Sequence, residues 1–410
     1  MAVRSPVTRL SLAAQLELCA AYHDDYVPTQ VIKKLFIMRL WVYHMSDESV
    51  TKIPNIAIAL IGDGCAGLSL AAEAASLPEH TIHLFSPQSN LNKQDHVWGY
   101  WQMDWMKAVA PLAFKTWHKW SVRTADTEVE MEACHYPYQA VKRISWLTHC
   151  RKNAKQNGVK FQNGMSSIND FPNGQVFDSR PPKWKANMMV QHFIGWEVRA
   201  EAGSFNAGTA ILMDFRCDQS RGVHFIYCLP FSDCEALVES TLLSPNIEQS
   251  EFYEDAITTW LSECAGVKFF EVLRRETGAI PLGLMKRHDP NFQGFGSNCG
   301  AIRPSSGYAF SFIQKQIATA LSRVRVGNKL SFLSPHKKID LFMDRIFCSV
   351  LRHQPHYAPK LFTAMAARLT GDEFALFLSG EADIVLRLKV IMAMPPWPFI
   401  RALLRLETAA

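Results

Sequence analysis

The segment GDGCAG, residues 62–67, constrains the fold more than any other part of the chain. It follows a short apolar run rich in isoleucine, residues 55–61, which is typical of a strand buried on both faces. Residues 66–77 have the composition of a helix that stops before Pro78, and residues 80–85 are predicted to form a second strand. This order predicts a β-α-β unit with the glycine turn at its first corner.

Each residue of this turn has a physical role in nucleotide binding. Gly62 permits a tight turn, Gly64 lets the backbone approach a pyrophosphate, and Gly67 lets the helix pack close to the strand. Cys65 and Ala66 begin the helix, whose free N–H groups and dipole favour a phosphate. A turn with only a structural role is the alternative. The β-α-β context favours nucleotide binding.

Composition limits the class of protein. The chain has 410 residues, of which 48% are hydrophobic and 20% charged, which predicts a globular protein of two closely joined domains. Its net charge of +5 is small and scattered, which argues against nucleic acid as a partner but would tolerate an anionic membrane surface. Ten cysteines without a CxxC pair argue against a metal site or a disulfide framework and favour the cytoplasm.

Residues 1–52 fit poorly with the sequence that follows them. Their most apolar run, residues 35–45, is shorter than the ~20 residues of a spanning helix and contains Arg39. The segment could be a targeting sequence or an amphipathic surface anchor. We favour a dispensable extension, because Met45 begins a short polar lead into the first strand.

The rest of the chain divides into a strand-rich middle and a helical end. Residues 210–216, 223–231 and 236–244 are predicted to be neighbouring strands of an antiparallel sheet. Helices are predicted from Gln314 onward, with clear stretches at residues 340–350 and 372–378. The closing segment MPPWPFIRALLRL is basic and apolar, and it could contact a bilayer.

Several segments in order resemble those of the bacterial lycopene β-cyclases, from about Ile56 to Leu404. HVWGY, residues 96–100, is similar to the H-T-W-S-F segment of that family, and QHFIGWEV, residues 191–198, to its Q-x-F-x-G-x-E-x segment. Further similar segments are ILMDFR, VHFIYCLPFS with ALVEST, TGAIPL, GAIRPSSGYAF, FMDRIF and EFALFLSG. No single motif is decisive, but their order and spacing together are specific.

This resemblance implies an α/β fold with a Rossmann-like FAD-binding domain, an antiparallel-sheet substrate domain and a helical C-terminal part. The expected bounds are an extension at 1–52, the FAD-binding domain at 53–180 and 275–330, the substrate domain at 181–274, and the helical region at 331–410. The implied cofactor is FAD in its reduced form, with NADPH or another reductant. The implied substrate is lycopene or a related acyclic carotenoid, taken from a membrane surface, and other carotenoid-pathway enzymes are possible partners.

The implied reaction is a cyclisation without net redox change, which begins with protonation of a terminal carbon–carbon double bond. That step requires a carboxylic acid among apolar residues, because desolvation disfavours its charged form. Glu239 lies between apolar neighbours and matches the acid of the family's L-I-E-D-T motif, although the next residue here is Ser240. A solvent-facing glutamate is the alternative. The residues predicted to line the substrate site are His96, Trp98, Tyr100, Trp101 and Asp214.

The resemblance also places cofactor contacts outside the glycine turn. Arg303 is predicted to supply positive charge near the flavin, and the residues after it are predicted to cap the following helix beside the flavin. Ser86 ends the second strand, where an acidic residue usually holds the ribose. The remaining predicted contacts are Asp178, Arg180, Ser305, Ser306, Gly307 and Tyr308.

Three interpretations of the function remain open from the sequence. The first is the FAD-dependent lycopene β-cyclase. The second is a flavin oxidoreductase, such as a monooxygenase acting on an apolar substrate, which would consume a nicotinamide cofactor. The third is a carotenoid-binding homologue with a decayed site, which Asp63, Ser86 and Pro181 suggest because they depart from the family pattern around the cofactor. The sequence does not decide between one ring and two, or between a β and an ε ring.

Overall fold

The first β-α-β unit forms as predicted. A computed structural model describes residues 56–86, 95–164 and 174–408. Strand β1 (Ile56–Ile61) pairs in parallel with β2 (His80–Ser86), and helix α1 (Cys65–Ala72) connects them. The helix is shorter than predicted, since a separate 3₁₀ turn, Ala74–Ser76, leads to Pro78. The predicted extension at 1–52 lies outside the described residues.

This unit belongs to a five-stranded parallel sheet. The sheet adds β8 (Lys160–Asn163), β9 (Gln175–Asp178) and β15 (Gln293–Gly294) to β1 and β2. The order is β15-β9-β1-β2-β8, and each neighbouring pair of strands is parallel. Helices α2 (Arg143–Gln156) and α4 (Phe310–Arg325) contact α1. A sheet of this kind is covered by helices, which explains why β1 is a continuous apolar run.

A seven-stranded sheet forms the second layer. Its strands are β5 (Lys119–Arg123), β6 (Glu128–Glu132), β10 (Met189–Ala200), β11 (Thr209–Asp214), β12 (Val223–Pro230), β13 (Glu235–Ser244) and β14 (Phe270–Leu282). Their order is β14-β10-β13-β12-β11-β5-β6. The three predicted neighbouring strands are confirmed as β11 to β13, which pair antiparallel. The sheet also takes β5 and β6 from before residue 181, because β5 pairs in parallel with β11.

A small antiparallel sheet carries the aromatic segment that follows β2. Its order is β3-β7-β4, with strands β3 (Val97–Trp101), β4 (Lys115–Trp117) and β7 (Tyr138–Lys142). Helix α3 (Ser250–Thr259) contacts β10 and β13. The small sheet therefore adds a third set of strands to the fold, and the sequence pattern did not indicate it.

The C-terminal part is helical, and the two predicted stretches lie within α5 and α7. Its helices are α5 (Lys338–His353), α6 (Ala358–Arg368), α7 (Gly371–Leu378), α8 (Ile384–Ala393) and α9 (Pro396–Thr408). Among the described residues, no helix has the length and apolar character needed to cross a membrane.

Two buried ion pairs attach α5 to its neighbours. Asp344 lies 3.2 Å from Nε of Arg303, and Asp340 lies 2.7 Å from Nε of Arg387 on α8. All four side chains are almost fully buried. The two aspartates are one helical turn apart, so one face of α5 is fixed both to the loop before α4 and to α8.

Replacing Asp344 with Ala should destabilise the fold strongly, because Arg303 would stay buried without its partner. We expect the free energy of unfolding to fall by about 3–5 kcal/mol, measured by denaturant titration. The matched control is Asp104→Ala, which removes an ion pair to Lys107 in which both side chains are largely exposed. Equal effects of the two substitutions would contradict the structural role of the buried pair.

Candidate active site

A cavity of about 930 Å³ is enclosed by the seven-stranded sheet, the small sheet and the C-terminal helices. Its lining is mostly apolar and aromatic. The polar residues of the lining include Glu239 on β13 and Glu276 on β14. A cavity of this size and character can hold a large hydrophobic ligand.

The glycine turn has the shape that a pyrophosphate requires. Gly62 adopts φ +103°, and a Cβ there would lie 2.6 Å from Oγ of Ser179. A Cβ at Gly67 would overlap the carbonyl oxygen of Gly62, so that only glycine allows this contact between helix and turn. By contrast, a Cβ at Gly64 would meet nothing within 4 Å. The turn thus leaves open space at the N-terminus of α1, where phosphate binding is favoured.

The charged residues around the turn are paired with each other. Arg151 lies 3.2 Å from Asp63, which offsets the repulsion that this carboxylate would exert on a phosphate. Asp178 is fully buried, and its carboxylate accepts hydrogen bonds from Nε and Nη2 of Arg180, each at 2.9 Å. The structure therefore places Asp178 and Arg180 beside the glycine turn as an ion pair. Ser86 ends β2 as predicted, next to residues outside the described part of the chain.

Arg303 lines the cavity, where its guanidinium is paired with a carboxylate. Its guanidinium pairs with Asp344 and donates to the carbonyl oxygens of Phe377 and Leu378 at 2.6 and 2.9 Å. The charge is thus neutralised within the protein, because Asp344 arrives from a helix distant in sequence. Ser305 donates to Asp344 at 2.7 Å and does not cap the helix.

The predicted helix cap is wrong. Helix α4 begins after Ala309, with no side-chain cap. Gly307 adopts φ +68°, which favours glycine, and together with Tyr308 it lines the cavity. Oγ of Ser306 is buried and has no hydrogen-bond partner among the described residues. This loop therefore presents a polar atom and close backbone to a ligand, and its cationic side chain, Arg303, is ion-paired.

The predicted aromatic residues meet at the cavity. His96, Trp98, Tyr100 and Trp101 all line it. The ring centroid of Trp98 lies 4.6 Å from that of Phe310, and the two rings are tilted. These contacts form an aromatic wall on the side of the small sheet.

Asp214 is not among the cavity residues, which corrects its predicted place in the substrate site. It is fully buried and pairs with Arg216 at 2.6 Å. It also accepts a hydrogen bond from Nε1 of Trp260 at 2.9 Å. Its role is to join β11 to the segment after α3, because a buried carboxylate requires such partners.

Glu239 lies on the cavity wall, as the acid hypothesis requires. Only 8% of the residue is exposed, and Oγ1 of Thr241 donates to its Oε1 at 2.6 Å. Burial, followed by the nearby charge of Glu276, raises the pKa of Glu239 from 4.5 to about 8. Glu239 is therefore protonated at neutral pH, so it can donate a proton.

Ser240 does not alter this environment, because adjacent residues of a strand point to opposite faces of the sheet. Its Oγ lies 2.8 Å from Nε2 of His224, and both side chains are fully buried. Neither residue lines the cavity. The loss of an acidic residue at this position therefore changes the other face of the sheet.

Sequence reasoning missed a second carboxylate, Glu276. Gly195 on β10 is directly opposite both Glu239 and Glu276, so the two acids flank this glycine in one row. Arg274 lies 2.7 Å from Oε2 of Glu276, and the backbone N–H of Val97 donates to the same oxygen at 3.2 Å. The only sequence signal was an Arg-Arg-Glu run before TGAIPL, which ordinarily indicates a solvated strand.

Comparison with known proteins identifies the family of this chain. A model of the family described as lycopene cyclase protein matches residues 57–404. The chain belongs to the lycopene cyclase family. A lycopene beta-cyclase from Pantoea ananas is 23% identical over 387 residues, covering 87% of this chain and 99% of that protein. Another, from Pseudescherichia vulneris, is 24% identical over 242 residues, covering 52% of this chain and 60% of that protein.

Solved structures show the fold of this lycopene cyclase family member. A geranylgeranyl bacteriochlorophyll reductase-like protein from Thermoplasma acidophilum has a TM-score of 0.55 at 11% identity, covering 84% of this chain and 98% of its own. A flavin-dependent brominase has a TM-score of 0.50 at 13% identity, covering 86% and 99%. At these identities the likeness concerns the fold alone, and it confirms the predicted α/β fold class.

The protonation of Glu239 gives a testable pH dependence. Its pKa is about 8 in the folded protein against 4.5 ordinarily, so the folded state holds this proton more tightly than the unfolded state. The contribution of Glu239 to the free energy of unfolding should be complete below pH 4.5 and fall as the pH rises through about 8. Glu239→Gln should remove this fall, as measured by denaturant titration across the pH range.

The protonated carboxyl can also be observed directly. Infrared difference spectra of the parent protein against Glu239→Gln should show a carboxyl C=O band that disappears near pH 8. Glu235→Gln, on the same strand but paired with Arg199 at the surface, is the matched control and should leave the band in place. A band that is lost already at pH 5 would show that Glu239 is ionised at neutral pH.

Proposed function

We propose that this protein is a lycopene β-cyclase, which closes the acyclic ends of lycopene or a related carotenoid into β-ionone rings. The observation that carries the proposal is Glu239, a carboxyl group kept protonated by burial on the wall of a large apolar cavity. Its family and the name of its Pantoea ananas relative support the same reaction.

Glu239 is the acid of the first step. It gives its proton to the terminal carbon–carbon double bond, forming a C–H bond and leaving a tertiary carbocation on the neighbouring carbon. The next double bond supplies the electron pair that closes the ring. Loss of a ring proton then forms the new double bond, so electrons are neither gained nor lost overall. The apolar lining excludes water, which would otherwise capture the cation.

Glu276 is the residue we assign as acceptor of the ring proton. Burial raises its pKa, but the Arg274 guanidinium opposes this shift, and the N–H of Val97 also stabilises the carboxylate. Two carboxyl groups in different environments can divide the roles of acid and base. Return of the proton from Glu276 to Glu239 across Gly195 would restore the starting state.

The residues around the glycine turn fit FAD as the cofactor. Gly62, Gly64 and Gly67 would hold its pyrophosphate, and Ser306 offers a hydroxyl group that has no partner among the described residues. When bound in its reduced form, FAD would supply an electron-rich group near the cation, with NADPH or another reductant as the electron source. The ion pair of Asp178 and Arg180 would support the glycine turn.

The cavity is proposed to take its substrate from a bilayer through the helices α5, α8 and α9. Ile384, Leu388 and Ile400 line the cavity and are also exposed on the surface. Exposed arginines at 345 and 401 lie on the same helices, which suits anionic lipid headgroups. An apolar surface that continues into an apolar cavity would let a hydrocarbon pass without entering water. This arrangement supports our proposal that the protein attaches peripherally to the cytoplasmic face of the membrane.

The proposed reaction is tested in bacteria engineered to accumulate lycopene. We expect the parent chain to form monocyclic or dicyclic carotene, separated by chromatography. Glu239→Gln should abolish ring formation, because the amide has no acidic proton to give. Glu235→Gln, on the same strand but outside the cavity, should leave ring formation intact.

Other results would change the proposal in defined ways. Unchanged lycopene with well-expressed, flavin-loaded parent protein would reject the cyclase, and oxygen-coupled NADPH consumption would favour a monooxygenase. Parent protein that cannot be loaded with FAD would favour a decayed site. Full activity of Glu276→Gln would show that another group accepts the ring proton.

Membrane attachment is tested with vesicles that contain anionic phospholipid. Met392 and Trp397 are exposed apolar residues of the helical part that do not line the cavity. Met392→Glu with Trp397→Glu should weaken co-sedimentation by tenfold or more, because two exposed apolar side chains that would enter the membrane become charged. Phe269→Glu, equally exposed but next to β14, is the matched control. Equal binding of both variants would place the membrane contact elsewhere.

A further inference from the structure

Tyr227 lies directly beside the proposed acid. On strand β12 it is the cross-strand partner of Glu239 on β13, so both side chains point to the same face of the sheet. Partners of this kind have Cβ atoms about 4.5–5.5 Å apart. Both residues line the cavity, and Gly195 and Glu276 continue the same row on the other side of Glu239. The tyrosine ring therefore forms the wall of the cavity next to the carboxyl group.

The ring of Tyr227 is held in place by a second tyrosine. Its hydroxyl group lies 2.8 Å from that of Tyr138, which comes from the small sheet. Gly99 on β3 makes room for this pair, since a Cβ there would overlap Oη of Tyr138 and lie 2.6 Å from Oη of Tyr227. Gly99 is not one of the glycines with positive φ, so it is required for space and not for backbone conformation.

Tyr138 is itself immobilised. It is 1% exposed, and its ring lies 4.9 Å from Trp101, 6.2 Å from Trp117 and 6.5 Å from Trp120, measured between centroids. Burial raises the pKa of both Tyr138 and Tyr227 well above the usual range, so both hydroxyl groups stay neutral. One hydroxyl donates to the other, and the orientation of Tyr227 is thereby fixed without placing a charge in the cavity.

The position of the cation follows from the position of the acid. Protonation by Glu239 places positive charge on the carbon next to the one that receives the proton, so the cation forms near the carboxyl group. A neutral aromatic face within about 6 Å attracts a cation, and more strongly in a dry site. A ring that could turn away would lose this attraction, so its orientation matters.

We propose that Tyr227 is the cation-stabilising residue of this site and that Tyr138 positions it through the hydroxyl pair over Gly99. The proposal rests on the proposed cyclisation. It differs from the expectation for Trp98, Tyr100 and Trp101, which belong to strand β3 of the small sheet. Tyr227 comes from the sheet that also carries Glu239, so the acid and the ring keep a fixed separation.

The test uses flavin-loaded, reduced, full-length protein with lycopene in phospholipid vesicles. Phenylalanine and its mono-, di- and trifluorinated forms are incorporated at position 227, because fluorine withdraws electrons from the ring with little change in shape. We expect the cyclisation rate to fall stepwise along the series, to about tenfold in total. Tyr227→Leu should be at least as slow as the trifluorinated form. A purely structural role would not follow the electron density of the ring.

The positioning role of Tyr138 has its own variants. Tyr138→Phe and Gly99→Ala should each lower the rate as much as Tyr227→Phe, and Tyr138→Phe should add nothing when Tyr227→Phe is already present. Tyr253→Phe is the matched control, since it removes a buried tyrosine contact with His192 on the other face of the same sheet. It should lower stability and leave the rate unchanged.

The outcomes separate this assignment from the proposed function. A parent protein that forms no cyclised carotene would overturn both. A parent that cyclises lycopene at a rate insensitive to fluorination at 227 would overturn only the role of Tyr227. If the position-227 series does not fold, as judged by flavin content and thermal unfolding, Gly99→Ala and Tyr138→Phe decide. Full activity of both would overturn the positioning by Tyr138.

Discussion

Burial of Glu239 is the constraint on which the rest of the site depends. A carboxyl group in an apolar cavity loses its hydration, and the charged form loses more than the neutral form. Glu276 adds to this effect, because its negative charge next to Gly195 disfavours a second one. The surrounding sheet therefore has to exclude water, and Arg274 pairs with Glu276 and opposes the rise in its pKa.

The same constraint explains why so many polar groups near the cavity are paired internally. Arg303 is neutralised by Asp344 and two carbonyl oxygens, and Asp178 by Arg180. Unpaired charges there would attract water into a cavity that must stay dry, and each would be costly to bury. The Arg303–Asp344 pair also fixes α5 to the loop before α4, and the Asp178–Arg180 pair lies beside the glycine turn.

Local patterns predicted the elements well, and distant contacts account for what they missed. The β-α-β unit and strands β11 to β13 follow from apolar runs and turns that are adjacent in sequence. The ion pair of Arg303 could not be predicted in this way, because its partner Asp344 lies on α5. Asp214 was wrongly assigned to the substrate site for the same reason, since its hydrogen-bond partner Trp260 comes from the segment after α3. Glu276 was overlooked because its importance depends on the register of β14 against β10.

Tyr138 and Tyr227 show most clearly what could not be predicted from the sequence. They are 89 residues apart, and neither belongs to a motif that suggests a pair. Only the absence of a side chain at Gly99 lets their hydroxyl groups meet. A glycine between two aromatic residues of a strand is ordinarily a weakness, because it contributes no packing. At Gly99 the missing side chain leaves space that side chains from two other strands fill. The function of this glycine therefore becomes clear only from the packing of these strands in the folded protein.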